Sequence, residues 1–267
     1  MPREPGRKEK SNHYFDDWII RNIMSEIVGY VNKLESFGAV DGPGVRYLIF
    51  LNGCKMRCAF CHNPETWAEG QGQEFTADEL LKKALRFKPY WKKDGGITVS
   101  GGEPLLQIDF MLDLFRKAKA QGINTCIDTA GQPFTHEEPF YSKWKELMSL
   151  TDTVLLDIKN IDPVAHKELT GVDNANILEM AREISDMGIP IWIRHVLVPG
   201  GSDNDDYLRR TREFINTLKT VEKVEVLPYH TLGVPKYQEL GIPYRLEGVE
   251  SPSAERIANA KEILGAK

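Results

Sequence analysis

Apolar runs of strand length alternate with amphipathic stretches of helix length along most of the chain, from Ile27 onward. Short continuous apolar runs indicate buried strands, whereas apolar residues spaced three and four apart indicate helices that bury one face. The runs predict six strands, at residues 45–51, 96–100, 124–129, 153–159, 189–198 and 221–229. An earlier extended segment, residues 27–36, is expected to pair at the edge of the same sheet.

Helix patterns fill the intervals between these strands. They predict five helices, at residues 77–87, 105–121, 138–150, 176–188 and 205–219. Glycine ends or follows several of them, as it does at many helix C-termini. Alternating strands and helices are typical of βα repeats, which place their strands parallel in one sheet. The sequence therefore predicts an α/β fold, a partial (β/α)6 TIM-like barrel with its active site at the C-terminal ends of the strands.

The first 25 residues are charged and show no sustained periodicity, apart from a short helix pattern over residues 15–24. We therefore expect residues 1–25 to form an N-terminal extension. No low-complexity linker interrupts the rest of the chain, so residues 26–267 are expected to form one domain, the partial barrel.

The composition of the chain limits its expected cellular location and the classes of partner that it can bind. A net charge of −5 over 267 residues gives no basic footprint for nucleic acid. No apolar run approaches the ~20 residues that span a bilayer, and the opening residues lack the apolar stretch of a secretory signal. Only four cysteines occur, which is unlike a disulfide-stapled secreted fold. We expect a cytoplasmic monomer that binds neither nucleic acid nor membrane.

Polar residues recur at the ends of the predicted strands. They are Cys54, Cys58, Cys61, Asp128, Thr129, Asp157, Lys159, Arg194, His195, Tyr229 and His230. Taken singly, Asp128 or Asp157 could cap a helix, and Lys159 or His230 could be structural. Their joint placement favours one shared site, because the C-terminal loops of such a barrel meet at one mouth. Cys126 is expected to be a small buried side chain.

Three cysteines, Cys54, Cys58 and Cys61, form the spacing C-x3-C-x2-C. A structural zinc site needs four protein ligands, and the chain offers no second pair of cysteines downstream. His62 could complete a zinc site, although its adjacency to Cys61 makes that awkward. A four-iron cluster is usually held by four thiolates, so three would leave one iron open to a substrate or cofactor.

The cysteine spacing, together with Gly-Gly-Glu-Pro at residues 101–104, resembles the radical S-adenosylmethionine (SAM) superfamily. In that superfamily, the unique iron of a [4Fe-4S] cluster chelates the amino and carboxylate groups of SAM. Further stretches resemble the activases of glycyl-radical enzymes, and in particular those that act on pyruvate formate-lyase. In chain order they are SFGAVDGPGVRYLIFLNGC, CAFCHNPETW, SGGEPLLQ, TCIDTAG, LLDIKN, WIRHVLVPG and VLPYHTLG. The resemblance covers nearly everything after the first 25 residues.

This resemblance implies an oxidoreductase of anaerobic metabolism. One electron from the reduced cluster cleaves SAM, and the resulting 5′-deoxyadenosyl radical takes a hydrogen from a backbone glycine of the partner. Pyruvate formate-lyase is the implied partner, because many other activases insert a cysteine-rich segment that this chain lacks. A flavodoxin or ferredoxin is the implied electron donor. The alternatives are an activase of a different glycyl-radical enzyme, a zinc-dependent binding module and an electron-transfer protein.

The resemblance also assigns roles to individual residues. The cluster ligands, which are also the catalytic residues, would be Cys54, Cys58 and Cys61. The SAM contacts would be Phe60, His62, Gly101, Gly102, Glu103, Asp128, Asp157, Lys159, Arg194 and His230, with Arg194 facing either cofactor or substrate. A monovalent cation would be enclosed by Asp128, Thr129, Asp157 and the carbonyl of Leu155. Asp41, in the DGPG segment at residues 41–44, would contact the substrate.

Overall fold

The computed structural model describes residues 26–266, so the helix pattern over residues 15–24 lies outside the described residues. The strands of the described part are β1 (Val28–Gly38), β2 (Arg46–Leu51), β3 (Gln73–Thr76), β4 (Gly96–Gly101), β5 (Asn124–Thr129), β6 (Thr153–Asp157), β7 (Ile191–Leu197) and β8 (Val221–Pro228). They form one sheet in the order β3-β1-β2-β4-β5-β6-β7-β8.

Six of these strands are parallel neighbours, from β2 through β4, β5, β6 and β7 to β8. They are the six strands that the apolar runs predict, with ends displaced by no more than two residues. The edge strands of the sheet are β3 and β8, which leaves the barrel partial. The predicted partial barrel of six parallel strands is confirmed.

The prediction that residues 27–36 form an edge strand is wrong. Strand β1 pairs antiparallel with β2 on one side and with β3 on the other, so β3 is the edge strand. The four residues of β3 read Gln-Glu-Phe-Thr, and only Phe75 among them is buried. A strand this short and polar gives too little periodicity to be recognised from sequence.

The helices of the described part, residues 26–266, lie mostly between the parallel strands. They are α1 (Ala77–Ala84), α2 (Lys88–Trp91), α3 (Ile108–Ala120), α4 (Phe140–Ser149), α5 (Pro163–Thr170), α6 (Ala175–Asp186), α7 (Asp205–Thr217), α8 (Val234–Leu240) and α9 (Ala254–Leu264). The five predicted helices correspond to α1, α3, α4, α6 and α7. Helices α2, α5, α8 and α9 were not predicted. No helix within these residues has the length and apolar character needed to cross a membrane.

Alternation along each parallel strand separates two environments. Ile97, Val99, Ile127, Val154 and Ile193 are fully buried in the apolar core that the sheet forms with its helices. Successive side chains of a strand point to opposite faces, so the residues between them face the inside of the barrel. This inner set is largely polar. Its polar members include Thr98, Ser100, Cys126, Asp128, Asp157, Arg194 and Glu225.

A fully buried arginine, Arg46, closes the N-terminal end of the barrel interior. Its Nε donates to Thr98 Oγ1 at 2.9 Å, and its Nη1 donates to Asn124 Oδ1 at 2.7 Å and to the carbonyl of Asp94 at 3.2 Å. Burial lowers the pKa of Arg46. Hydrogen bonds to several acceptors compensate the cost of desolvating this charge. Arg46 Nη1 also donates to the carbonyl of Pro43, and in this way it fixes the turn that leads into β2.

Candidate active site

A cavity of about 410 Å³ lies at the C-terminal ends of the parallel strands. It is lined by these residues that the sequence predicted: Cys54, Cys58, Phe60, Cys61, His62, Gly101, Gly102, Asp128, Thr129, Asp157, Lys159, Arg194 and His230. The polar residues at the strand ends therefore do line one shared cavity, as the sequence analysis expected. Of the remaining predicted residues, Asp41, Glu103 and Leu155 do not line this cavity.

Backbone hydrogen bonds hold the cysteine loop that follows β2. The N–H of Cys54 donates to the carbonyl of Trp67 at 3.2 Å, which ties the start of the loop to the segment after it. The N–H groups of Arg57 and Ala59 donate to the carbonyls of Thr170 and Leu169, at 2.7 and 2.8 Å. These bonds dock the middle of the loop on the end of α5. All three loop cysteines are free thiols that face the cavity.

Burial controls the protonation of the three thiols. It raises the pKa of Cys54 and of Cys58 to about 12. Burial also raises the pKa of Cys61, and the N–H of Asn63, 3.4 Å from Cys61 Sγ, partly offsets this effect. Near neutral pH the thiols keep their protons, so metal binding must displace them. A thiol set of this kind is suited to soft metal centres such as iron–sulfur clusters.

The three thiols fit a cluster better than a single ion. Among residues 26–266, no three His, Cys, Asp or Glu side chains are grouped closely enough to hold one metal ion. In a four-iron cluster each thiolate binds its own iron, so the ligands need not converge on one point.

Two glycines let the end of β4 approach the cysteine loop. Gly101 has φ +121°, and a Cβ there would lie 2.3 Å from the backbone nitrogen of Leu51. A Cβ on Gly102 would lie 2.2 Å from the carbonyl oxygen of Gly53. Only glycine tolerates both the conformation and the contact. The end of β4 can therefore pack directly on β2 and the start of the loop, and both glycines line the cavity.

Glu103 lies behind the cavity and is fully buried. Its carboxylate accepts hydrogen bonds from Thr129 Oγ1 at 2.6 Å, from the N–H of Ala130 at 2.9 Å and from the N–H of Leu105 at 3.1 Å. It thereby positions Thr129, which does line the cavity. Direct contact between the Glu103 side chain and a cofactor remains a prediction.

Burial raises the pKa of Glu103 from 4.5 to about 7, which predicts a pH-dependent stability. The folded state retains this proton at pH values where an unfolded chain has released it. The free energy of unfolding should therefore fall as the pH rises from about 4.5 through about 7, by roughly 3 kcal/mol. Glu103→Gln cannot ionise and should lack this dependence.

Urea unfolding of the wild type and of Glu103→Gln between pH 4.5 and pH 8 tests this prediction, and Glu239→Gln on the exposed face of α8 is the matched control. A difference between wild type and Glu103→Gln that stays constant with pH would contradict it.

Asp128 is held by two donors and keeps one oxygen free. Ser100 Oγ donates to Asp128 Oδ2 at 2.8 Å, and Arg194 Nη1 donates to the same oxygen at 3.0 Å. Asp128 Oδ1 is buried and has no hydrogen-bond partner among the described residues. It is therefore available to a ligand in the cavity. The sequence analysis gave Ser100 no role in the site, although the residue lies in the SGGEP stretch at the end of β4 and on the inner face.

The two cations of the cavity are both paired with carboxylates. Lys159 Nζ lies 2.6 Å from Asp157 Oδ2, and Arg194 Nε lies 3.9 Å from Glu225 Oε2, a residue that the sequence analysis also missed. Asp128 raises the pKa of Arg194 above its ordinary value. Burial lowers the pKa of Lys159, but Asp157, Cys58 and Asp128 together more than offset this effect, so its pKa is raised as well. Both side chains are charged at all relevant pH values.

Carboxylates and cations balance at the cavity. Asp128 and Asp157 line it and pair with Arg194 and Lys159, and Glu225 lies outside the lining between Arg194 and Lys223. SAM carries positive sulfonium and ammonium groups and a negative carboxylate, so the cavity offers a partner for each sign of charge.

An aromatic side of the cavity is formed by two stacked imidazoles. The rings of His62 and His230 have centroids 4.0 Å apart and planes 17° apart, and His62 Nε2 donates to the carbonyl of His230 at 3.1 Å. Burial lowers the pKa of His62, and His230 lowers it further, so His62 is neutral. Phe60 is buried beside Lys159, whose Nζ is 5.4 Å from the ring centroid. Flat aromatic surfaces of this kind suit a nucleobase.

Asp41 lies in the turn at the N-terminal end of β2, away from the cysteine loop. Its carbonyl accepts a hydrogen bond from Thr98 Oγ1 at 2.7 Å, inside the barrel. Burial raises the pKa of the Asp41 carboxyl, and Arg194 partly counteracts this. The turn thus reaches from the rim toward Arg194. The buried thiol of Cys126 lies beneath it, as a small buried side chain.

Leu155 lies beside Asp128 in the sheet register, with its side chain fully buried. Strands β5 and β6 therefore bring the predicted cation ligands to neighbouring positions: Asp128, Thr129, Asp157 and the carbonyl of Leu155. Only the first three of them line the cavity.

His195 and Tyr229 turn away from the cavity. His195 Nδ1 donates to the carbonyl of Ile158 at 2.8 Å, and the Tyr229 hydroxyl lies 2.9 Å from that of Tyr244.

A family model described as the radical SAM superfamily matches residues 48–215, more than half of the chain. The chain belongs to this superfamily, whose enzymes use a [4Fe-4S] cluster and SAM. The fold agrees. A radical SAM methyltransferase from Sphaerobacter thermophilus superimposes with a TM-score of 0.58 at 18% identity, covering 82% of this chain and 63% of that chain.

Two curated relatives narrow the assignment. The chain is 52% identical over 241 residues to the pyruvate formate-lyase-activating enzyme of Streptococcus mutans, covering 90% of this chain and 92% of the relative. It is 48% identical over 242 residues to that of Listeria monocytogenes, covering 90% and 98%. The chain therefore belongs to the family of pyruvate formate-lyase-activating enzymes. This confirms the resemblance predicted from the motifs and favours an enzyme over the zinc-binding and electron-transfer alternatives.

Proposed function

We propose that this chain activates pyruvate formate-lyase by generating a glycyl radical on it. The observation that carries the proposal is a single cavity that collects three free thiols and the polar ends of all the parallel strands after β2. When bound there, the cluster and SAM together supply a one-electron cleavage whose 5′-deoxyadenosyl radical removes a hydrogen atom from the target glycine.

Cys54, Cys58 and Cys61 are proposed to hold the cluster. Their loop is fixed by backbone hydrogen bonds to Trp67 and to the end of α5, so the three sulfurs are presented together. The positive charge of Lys159 acts on Cys58 and lowers the pKa of that thiol, against the larger effect of burial. Lys159 therefore favours the thiolate that a metal requires.

The remaining lining residues are proposed to bind SAM. The bare backbone of Gly101 and Gly102 accepts its ammonium group, Lys159 attracts its carboxylate, and Phe60, His62 and His230 surround its nucleoside. Asp128 Oδ1, which has no partner among the described residues, offers a further acceptor. Arg194 orients Asp128 through the hydrogen bond to Oδ2. We therefore propose that Arg194 acts at the SAM site and not on the substrate loop.

A monovalent cation is proposed beside SAM, enclosed by Asp128, Thr129, Asp157 and the carbonyl of Leu155. Oxygen ligands are those that hard cations prefer. The position of Asp128 and Asp157 on adjacent strands, facing one cavity, supports this set. Such a cation would also reduce the repulsion between the two carboxylates.

Asp41 is proposed to contact the glycine-bearing segment of the partner, because its turn reaches from the barrel rim toward Arg194. A flavodoxin or ferredoxin is proposed as the electron donor. We propose that the enzyme acts in the cytoplasm as a monomer, and that residues 26–267 form one catalytic domain after an N-terminal extension.

Anaerobic radical formation tests the proposed function. The reduced enzyme is mixed with SAM and pyruvate formate-lyase, and the glycyl signal is followed by electron paramagnetic resonance. A matched partner whose target glycine is replaced by alanine serves as the control. A signal with the first partner only is expected. Absence of a signal with pyruvate formate-lyase, together with a signal on another glycyl-radical enzyme, would refute the choice of partner.

A further inference from the structure

A run of six cations lies on the surface just before β4. Residues 82–93 contain no acidic residue, and their cations are Lys82, Lys83, Arg86, Lys88, Lys92 and Lys93. All six are exposed, in a chain whose net charge is −5. None of them forms an ion pair with another residue of the described range, 26–266. By contrast, Arg116 and Lys119 of the neighbouring helix α3 pair with Glu146 and Asp152.

Exposed aromatic rings lie within this segment and next to it in space. Phe37 and Tyr90 are 56% and 55% exposed, and their ring centroids lie 5.1 Å apart in a T-shaped contact. Phe87 contacts Phe37 at 5.7 Å, and Val40 is 64% exposed. Single exposed apolar residues are ordinary, but adjoining ones mark interaction sites. We call the six cations together with Phe37, Val40 and Tyr90 the basic-aromatic face.

The basic-aromatic face adjoins the turn that carries Asp41. Val40 directly precedes Asp41, and the segment after Lys93 packs on the same turn: Arg46 Nη1 donates to the carbonyl of Asp94 at 3.2 Å. A Cβ on Gly44 would lie only 2.6 Å from the backbone nitrogen of Gly95. The face therefore lies at the N-terminal end of the barrel, whereas the cysteine loop lies at the C-terminal end.

One lysine of the face is held in an unfavourable backbone conformation. Lys92 has φ +53°, and no other non-glycine residue within residues 26–266 has a positive φ. Glycine adopts this conformation readily, whereas a residue with a Cβ is strained in it. A strained residue that persists in a surface turn points to a role for its side chain.

We propose that the basic-aromatic face docks the protein that carries the target glycine, through an acidic and partly apolar surface of that protein outside its glycine segment. This inference rests on the proposed function, since it takes the glycine-bearing protein as the substrate. Clustered cations attract an acidic partner, and exposed aromatic residues beside them can then be buried as anchors.

Two other occupants fit less well. A symmetric contact between two copies of this chain would place the same cations of both copies against each other. An electron carrier must approach the cysteine loop, which lies at the opposite end of the barrel from this face. The glycine-bearing protein has reason to bind here, because the Asp41 turn connects the face to the barrel interior.

The test compares a full-length protein substrate with a short peptide of its glycine segment. The variant is Lys88→Glu/Lys93→Glu in the complete holoenzyme, and the matched control is Lys145→Glu/Lys261→Glu, which changes the charge equally at exposed positions elsewhere. The variant should raise the KM for full-length pyruvate formate-lyase about tenfold. Radical formation on the peptide should be unchanged, and the control should stay within about twofold of the wild type.

A second variant separates docking from folding. Lys92→Gly relieves the backbone strain and is expected to raise the melting temperature, while it still raises the KM for the full-length partner. The proposal also predicts that the KM of the wild type rises with salt more steeply than that of Lys88→Glu/Lys93→Glu.

Several results would overturn the docking face. One is an unchanged KM of Lys88→Glu/Lys93→Glu for the full-length partner when the wild type is active. A second is an equal loss of activity of this variant on the peptide, or an equal rise in KM in the control variant. A third is a variant in which the KM for the electron donor or the oligomeric state changes, and the KM for the protein substrate does not. A wild type that makes no radical on pyruvate formate-lyase would instead refute the proposed function.

Discussion

Replacement of Cys58 by alanine is expected to abolish radical formation and to remove most of the bound iron. Cys58 is the middle thiol of the loop and lines the cavity with Cys54 and Cys61. Two thiolates cannot hold three irons of a cluster, so the metal centre should not assemble. Even residues that only support a metal ligand cost up to ~100-fold when they are lost, so a ligand should cost more than ~100-fold.

Cys126→Ala is the matched control, because Cys126 is fully buried and does not line the cavity. It should keep its iron and its rate of SAM cleavage, and lose about 1 kcal/mol of stability. Iron and sulfide content and the yield of 5′-deoxyadenosine under dithionite are the measurements. Wild-type deoxyadenosine formation by Cys58→Ala would exclude Cys58 as a ligand.

Lys159→Ala is expected to weaken SAM binding about 100-fold while the cluster still assembles. Lys159 is 9% exposed, and its Nζ lies 2.6 Å from Asp157 Oδ2 in the cavity. Its removal takes away the cation proposed for the SAM carboxylate and leaves Asp157, whose side chain is 18% exposed, without its partner. Loss of one member of a buried charge pair costs roughly 2–5 kcal/mol, which corresponds to about 30-fold or more in affinity.

The control for Lys159 is Lys119→Ala, which also removes a lysine paired with an aspartate, Asp152, but outside the cavity. Its SAM affinity should match the wild type. Equilibrium binding of SAM to the reconstituted, anaerobic proteins measures both effects. If Lys159→Ala bound SAM as tightly as Lys119→Ala, then Lys159 would not belong to the cofactor site.

Much of the fold was visible in the sequence because buried parallel strands are continuous apolar runs. The six runs became β2, β4, β5, β6, β7 and β8 within two residues of their predicted ends. Strand β3 was missed because its only buried residue is Phe75. Helix α5 was missed as well, although Asp162 accepts hydrogen bonds from the N–H groups of Val164 and Ala165 as an N-cap.

Site residues were predicted where a polar residue stands at the end of a predicted strand. They were missed where only a contact with a residue far away in the sequence shows their role. Ser100, Glu225 and Arg46 are ordinary polar residues in the sequence, and their partners are 28, 31 and 52 residues away, at Asp128, Arg194 and Thr98. Glu103 was expected among the cofactor contacts, but the structure buries its carboxylate against Thr129 and Ala130. Such long-range hydrogen bonds leave no local pattern.

The sequence by itself determined the fold class, the family and the three thiols at one strand end, because hydrophobic periodicity and motif spacing are local properties of a chain. Only the tertiary structure decided that Asp128 keeps one oxygen free, that Glu103 lies behind the cavity and that the exposed rings of Phe37 and Tyr90 meet near the basic segment. These features depend on which residues meet across the sheet, and strand pairing sets those distances.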